Sequence, residues 1–270
     1  MVTAFLLSFF VVLLAGLVFP REARGNSVSA PLVAAGKLRS LSQRQAKLYF
    51  QIRLGIESHT ARQALNRTRG EFEQALVRIQ DVAGSGSSAR AVRRIGSGWE
   101  TLRNSFEQVS PQIGLIAADA EQISVAAQSL AVQLEMDQQS PYFRLADLAS
   151  RTDMLAQRLA RIYLQIRSEG GNKAAEVDLL QTSAEFVAAM RELEEAAETT
   201  PLIRRDLALV RQQWLFFELA IRERDRNIAH SHRDVATTSE RISQMMDETM
   251  QRYLRLANEQ GEVSAESRRR

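Results

Sequence analysis

Apolar residues recur at three- and four-residue spacing from Pro31 to about residue 258, which is the period of an amphipathic α-helix. We find no stretch with the two-residue alternation of a β-strand. Two long segments show the helical stripe most clearly, and Gln45 is the only polar member of the first. The stripes are Ala34, Leu38, Leu41, Gln45, Leu48, Ile52 and Ile56 in the first segment, and Leu148, Thr152, Leu155, Leu159, Ile162 and Ile166 in the second. The pattern predicts an all-α protein.

Clusters of Gly, Ser, Thr and Pro divide this pattern into about four helices in each half of the chain. Several of them combine a helix stop with a new N-cap or with a proline in the first turn. The connections are short, which favours antiparallel neighbours in an up-down bundle. The breaks lie at residues 83–88, 110–111, 140–141, 170–172 and 199–201.

The chain also contains one segment twice. Residues 43–53 (QRQAKLYFQIR) return 114 positions later as residues 157–167 (QRLARIYLQIR), with seven of eleven positions identical. At the same offset Phe72 corresponds to Phe186, and at an offset one residue longer Trp99 corresponds to Trp214. This register indicates a tandem internal duplication. We therefore predict two up-down antiparallel helical bundles, at 31–138 and 139–258, followed by a polar disordered tail at 259–270.

The N-terminus carries an uncharged apolar run from Ala4 to Phe19. A helix of this length spans about 24 Å, which is shorter than a bilayer core of roughly 30 Å. The run is typical of a secretory signal peptide, and Val28-Ser29-Ala30 resembles a cleavage site. Residues 1–30 are predicted to export the protein to the periplasm. In the alternative, they anchor it in the inner membrane with its body facing the periplasm.

Composition limits the kinds of functional site that the chain can form. The chain has no cysteine, a formal net charge of +3, and acidic and basic residues that are interspersed, which does not favour nucleic acid. His230 and His232 lie two residues apart on a predicted helix and do not share a face, and His59 is the only other histidine, so the chain lacks the ligands for a metal site. No catalytic grouping or phosphate loop is present. We predict a protein that is not an enzyme and has no cofactor.

Residues 35–49 (AGKLRSLSQRQAKLY) resemble the opening of the PilJ-type domain, the sensing domain of type IV pilus methyl-accepting transducers. The same order of residues is similar to the P-box of nitrate/nitrite sensor kinases. The resemblance implies an extracytoplasmic helical bundle that senses a small molecule, with Arg39 at the position that holds the anion. In the second copy Gly36, Arg39 and Ser42 correspond to Ser150, Asp153 and Ala156, so that copy departs from the motif.

The residues themselves lead to a related picture. Arg39 lies on a helix face next to the apolar stripe, among small residues that let another helix approach and desolvate the guanidinium. Such a group needs an anion, and its planar fork matches nitrate or a carboxylate. Either Arg39 pairs internally with Asp153, or it binds an anion in a pocket or at a homodimer interface. Arg44 and Lys47 are predicted to be charges at the surface or the bundle edge.

Two functions are consistent with these observations. In the first, an exported binding module captures a small anion such as nitrate or nitrite through Arg39, with Ser42 as a second donor and Gly36 allowing close helix approach. A separate membrane-bound signalling protein then reads the change. In the second, the duplicated bundle is a scaffold or adaptor of an envelope assembly, related to type IV pili or chemotaxis, with no ligand.

Overall fold

The chain is all-helical in a computed structural model that describes residues 29–80, 86–108, 112–136, 138, 140–170, 173–222 and 228–267. The all-α prediction is confirmed, because the described residues form eight helices and contain no strand. The predicted leader lies outside the described residues except for its last two positions. Within the described ranges no helix is long and apolar enough to cross a membrane. The helices are α1 Ser29–Arg53, α2 Ser58–Gln80, α3 Gly86–Glu107, α4 Ile113–Met136, α5 Pro141–Glu169, α6 Lys173–Glu195, α7 Pro201–Arg222 and α8 Ile228–Ser267.

Helix boundaries follow the predicted breaks where proline or glycine sets the backbone. Helices α5 and α7 both begin at a proline, Pro141 and Pro201, whose fixed φ suits a first helical turn and whose missing N–H is not needed there. Helix α5 ends at Gly170, which adopts a left-handed φ of 83° and donates its N–H to Ile166 O. This is the C-terminal cap that glycine forms most readily.

The first helix ends earlier than its apolar stripe predicted. Helix α1 stops at Arg53, and Leu54–Glu57 form a turn with left-handed residues at Gly55 (φ 73°) and Glu57 (φ 45°). Ile56 belongs to this turn and donates its N–H to Gln51 O at 2.9 Å. Periodicity alone missed the turn, because Ile56 packs against the core from the turn as it would from a helix.

The last helix extends further than the sequence predicted. Helix α8 continues through the predicted disordered tail and reaches Ser267. The segment is rich in Glu, Gln, Ala and Ser, and most of these residues are compatible with a helix. A single Gly261 costs only about 1 kcal/mol in a helix interior, so a helix that is already packed over its first part propagates through it.

Each half of the chain forms its own ring of four helices. In the first unit, α1 packs against α2 and α4, α3 packs against α4, and α2 touches α3 sparsely. The second unit repeats every one of these pairings with α5, α6, α7 and α8. Phe72 stacks on Trp99 with ring centroids 4.6 Å apart, and Phe186 stacks on Trp214 at 4.5 Å. The correspondence is what a duplication predicts, and the duplication itself stays an inference.

The two units are joined through their first helices. Gly36 of α1 lies against Ser150 of α5, and at the far end Arg53 Nε donates to Ser168 Oγ at 3.1 Å, so the two helices run parallel. Helix α4 runs antiparallel to α1, because Arg39 contacts Gln128 while Gln43 contacts Ala120. One apolar core extends through both units. The predicted bundles are therefore fused side by side along α1 and α5.

Candidate functional site

The predicted anion clamp, Arg39, lies inside the α1–α5 interface. Its side chain has no exposed surface. Arg39 Nη2 donates to Asp147 Oδ1 at 3.0 Å and to Asp147 O at 3.2 Å, and Nη1 donates to Gln128 Oε1. Asp147 belongs to the second unit, so the buried cation is neutralised across the interface. The remaining donor, Nε, has no partner among the described residues.

The internal ion pair that the sequence suggested is present with a different acid. Asp153, the counterpart of Arg39, lies six residues beyond Asp147 on α5 and does not pair with Arg39. Asp153 is half-buried beside Ser40 and Ser243. Burial raises the pKa of its carboxyl to about 6, with the nearby charge of Asp247 adding to the effect and the two hydroxyls opposing it. The prediction of an Arg39–Asp153 pair is wrong, because the helices are packed with Arg39 beside an earlier turn of α5.

The other two predicted site residues have local roles in packing. A Cβ added to Gly36 would overlap the Ser150 hydroxyl and lie 3.1 Å from Ser150 Cβ, so α1 and α5 approach closely there. Ser42 is buried and donates its hydroxyl to Arg39 O at 2.9 Å, one turn back along α1. This bond uses the donor that the ligand hypothesis assigned to an anion.

A second buried charge cluster centres on Glu240 of α8. Lys47 Nζ contacts Glu240 Oε1 and donates to Ser239 Oγ at 3.1 Å, although Lys47 has no exposed side-chain surface. Arg44 approaches the same carboxylate with Nε at 3.1 Å and Nη2 at 2.7 Å. Burial alone would raise the pKa of Glu240, but Lys47 and Arg44 lower it to about 2. Burial lowers the pKa of Lys47 despite Glu240.

An equivalent cluster surrounds Glu121 of α4. Arg161 Nη2 lies 3.5 Å from Glu121 Oε2, and Arg158 Nε lies 3.3 Å from it. Arg161 Nε also donates to Gln43 Oε1 at 2.7 Å. Burial lowers the pKa of Arg161 to about 10, although Glu121 opposes the shift. Arg158 Nη2 also lies 2.9 Å from Asp178 Oδ1 on α6. Two cations of α5 thus hold a carboxylate from the first unit.

We call these two clusters the reciprocal clamps: Glu240 with Arg44 and Lys47, and Glu121 with Arg158 and Arg161. In each, two cations from the first helix of one unit hold a glutamate from the last helix of the other. Gln43 donates to Ala120 O at 3.3 Å and Gln157 donates to Ser239 O at 3.2 Å, so the surroundings also match. The prediction that Arg44 and Lys47 are surface or edge charges is wrong for Lys47, which is fully buried.

The two clamp glutamates could have been matched from the sequence, although the repeat of the first helix does not reveal them. Residues 121–124 read Glu-Gln-Ile-Ser and residues 240–243 read Glu-Arg-Ile-Ser, at an offset of 119 rather than 114. The second unit has five more residues than the first between its first and last helices, so a search at the fixed offset of 114 misses the match. Each of the two glutamates lies beside the basic pair of the other unit.

Two open grooves border these charge clusters. One of about 360 Å³ lies between α1, α2, α5 and α8 and is lined by both signs of charge, including Lys37, Arg44, Asp153 and Asp247. A larger one of about 790 Å³ lies between α3 and α4 and contains Arg90 and Arg94. Arg39 lines neither groove. Within the described ranges no three His, Asp or Glu residues are grouped to hold a metal ion.

No family model matches the chain, and neither does any curated protein or solved structure. The resemblance to PilJ-type domains therefore stays a prediction from residues 35–49 and their repeat.

Proposed function

We propose that this protein is a non-enzymatic helical-bundle scaffold or adaptor of the cell envelope that acts through its surfaces. In this proposal the PilJ-like motif of α1 holds the two units together. Export by the predicted leader places the bundle in the periplasm. The partner is a membrane-bound signalling protein or an envelope assembly of the type IV pilus or chemotaxis class that the resemblance implies.

The observation that carries the proposal is the closed environment of Arg39. Its guanidinium is fully buried, and Asp147 and Gln128 take up both of its terminal nitrogens. An anion that took the two terminal nitrogens of Arg39 would have to displace Asp147, which would leave a second buried charge without a partner. Breaking a buried ion pair in this way costs roughly 3–5 kcal/mol, which nitrate would have to recover by binding.

Isothermal titration of the purified protein with nitrate and with nitrite tests the proposal. The expected result is no binding heat with either anion up to millimolar concentration. Arg94→Ala serves as the matched control, because Arg94 is an exposed arginine that lines the α3–α4 groove. Saturable heat that disappears in Arg39→Lys and persists in Arg94→Ala would overturn the scaffold proposal.

That outcome would support a second candidate, the exported sensor of a small anion. Its specific support is Arg39 Nε, which has no hydrogen-bond partner in the described part of the chain and so leaves one donor of the guanidinium unused. An anion bound there would compete with Asp147 and loosen α1 from α5. A membrane-bound partner would then read the shift in helix packing.

A further inference from the structure

Helix α7 carries apolar residues on two sides, of which the fold uses only one. The inner side packs into the core of the second unit, mainly against α8. The outer side exposes five large apolar side chains, each to between 45% and 61%: Leu202, Leu209, Leu215, Phe216 and Leu219. Leu202, Leu209 and Phe216 are seven residues apart and so form one line along the helix. We call these five residues the α7 outer face.

The corresponding helix of the first unit has no such face. With Trp99 aligned on Trp214, each outer-face residue of α7 corresponds to an exposed polar residue of α3: Ser87, Arg94, Glu100, Thr101 and Asn104. The core positions of the two helices keep their apolar character, as Val92, Ile95 and Leu102 correspond to Leu207, Val210 and Phe217. The fold of the unit therefore does not require an apolar outer side.

The exposed charges of α7 itself have one sign, and the carboxylate of Glu194 on α6 borders the face and pairs with Arg211. Every exposed charged side chain of α7 is an arginine: Arg204, Arg205, Arg211 and Arg222. The two carboxylates of the helix, Asp206 and Glu218, are half-buried and paired with Arg252 and Arg222. Arg205 has no ion-pair partner among the described residues and lies among the outer-face leucines. The surface is therefore both apolar and cationic.

This charge pattern decides between possible occupants. A second copy of the chain would bring the same arginines against one another, which opposes self-association. An anionic surface would be attracted to them. Apolar side chains along one outward helix side, with arginines whose stems extend toward headgroups, are the features of a helix that lies in a bilayer interface.

We propose that the α7 outer face docks this protein on an anionic phospholipid bilayer, with Leu209 and Phe216 inserted at the acyl boundary and Arg205 at the phosphate level. Docking would orient the second unit toward the membrane and leave the polar side of α3 in the first unit in water. The proposal goes beyond the scaffold function and holds whether or not Arg39 binds an anion.

A tryptophan at position 216 tests the docking in the full chain. Phe216→Trp is mixed with phosphatidylglycerol vesicles that contain brominated lipid, and Thr101→Trp, the equivalent position of α3, is the matched control. Because the chain also contains the buried Trp99 and Trp214, emission is compared with wild type. The expected result is a blue shift and quenching of the emission that Phe216→Trp adds when phosphatidylglycerol is present, and neither change for Thr101→Trp. Because quenching depends on the probe position, membrane insertion of the apolar leader does not imitate this result.

Three results would overturn the proposal. The first is an unquenched tryptophan at 216, and the second is equal quenching at 216 and 101. The third is a blue shift without vesicles that grows with protein concentration, because it would show that a second copy covers the face.

Discussion

The first and second units use the same plan but differ where their side chains meet water or the other unit. Their stacked aromatic pairs agree within 0.1 Å in ring separation, and each contributes one half of the reciprocal clamps. They differ at Arg39 and Asp153, and they differ along the outer sides of α3 and α7. The shared positions hold helices together, and the differing positions give the two units different charge and polarity.

The stacked aromatics should show the largest effect and the closest agreement between units. We expect Phe72→Ala and Phe186→Ala each to lower the free energy of unfolding by about 3–5 kcal/mol, because both rings are fully buried against a tryptophan. Denaturant unfolding followed by circular dichroism measures both. A loss in one unit that is several-fold smaller than in the other would contradict the structural equivalence.

Substitutions at Arg39 and at its counterpart Asp153 should differ sharply in their effect on stability. Arg39→Ala leaves Asp147 buried without its cation, and we expect a loss of roughly 3–5 kcal/mol. The equivalent change in the second unit, Asp153→Ala, removes a carboxylate that has no ion-pair partner among the residues that the structure describes, and it should cost far less. Thermal and denaturant unfolding of the two variants give the comparison. Similar losses would indicate that Asp147 is solvated after Arg39 is removed.

Removing a glutamate of the reciprocal clamps should have an intermediate effect on stability, and this effect should disappear in acid. Glu240→Gln leaves Lys47 buried without its carboxylate, and because Glu240 is half-exposed we expect a loss of about 1–2 kcal/mol at pH 7. The pKa of Glu240 is lowered to about 2 in the folded state. Its stabilisation is therefore present above the unfolded pKa of about 4.3 and is lost as pH falls toward 2.

Unfolding of wild type and Glu240→Gln between pH 7 and pH 2.5 measures this loss, and Glu121→Gln provides the matched variant in the other unit. A difference between wild type and Glu240→Gln that grows on acidification would contradict the assignment.

The Asp153 carboxyl should show the smallest effect, with the opposite sign. Its folded pKa is raised to about 6, so ionisation above the unfolded pKa of about 3.9 opposes folding. We expect Asp153→Asn to stabilise the protein by about 1 kcal/mol at pH 7, with the gain vanishing below about pH 4. The same pH series measures it. A destabilised variant at pH 7 would show that the ionised carboxyl has a favourable partner.

The helices were predictable to the extent that local chemistry sets them. Pro141, Gly170 and Pro201 fix boundaries through φ, and apolar spacing marks the buried side of each helix. The turn at Gly55 was missed, because Ile56 keeps the helical period without helical backbone. The extension of α8 past Gly261 was missed because its stability comes from the packed turns before it.

The charged positions were less predictable, because partners in a helical bundle depend on the rotation and register of whole helices. The small residues around Arg39 indicated desolvation, and Arg39 is indeed buried. Nothing local to α1 distinguishes Asp147 from Asp153 as its partner. Lys47 was placed at the bundle edge because the glutamate that neutralises it lies 193 residues away.

Arg39 joins the two units through its ion pair with Asp147. A double-mutant cycle of Arg39→Met and Asp147→Leu, measured by denaturant unfolding, tests this pairing. We predict that the double variant loses about 2–3 kcal/mol less stability than the sum of the two single losses. Additive losses, with coupling near zero, would contradict the claim.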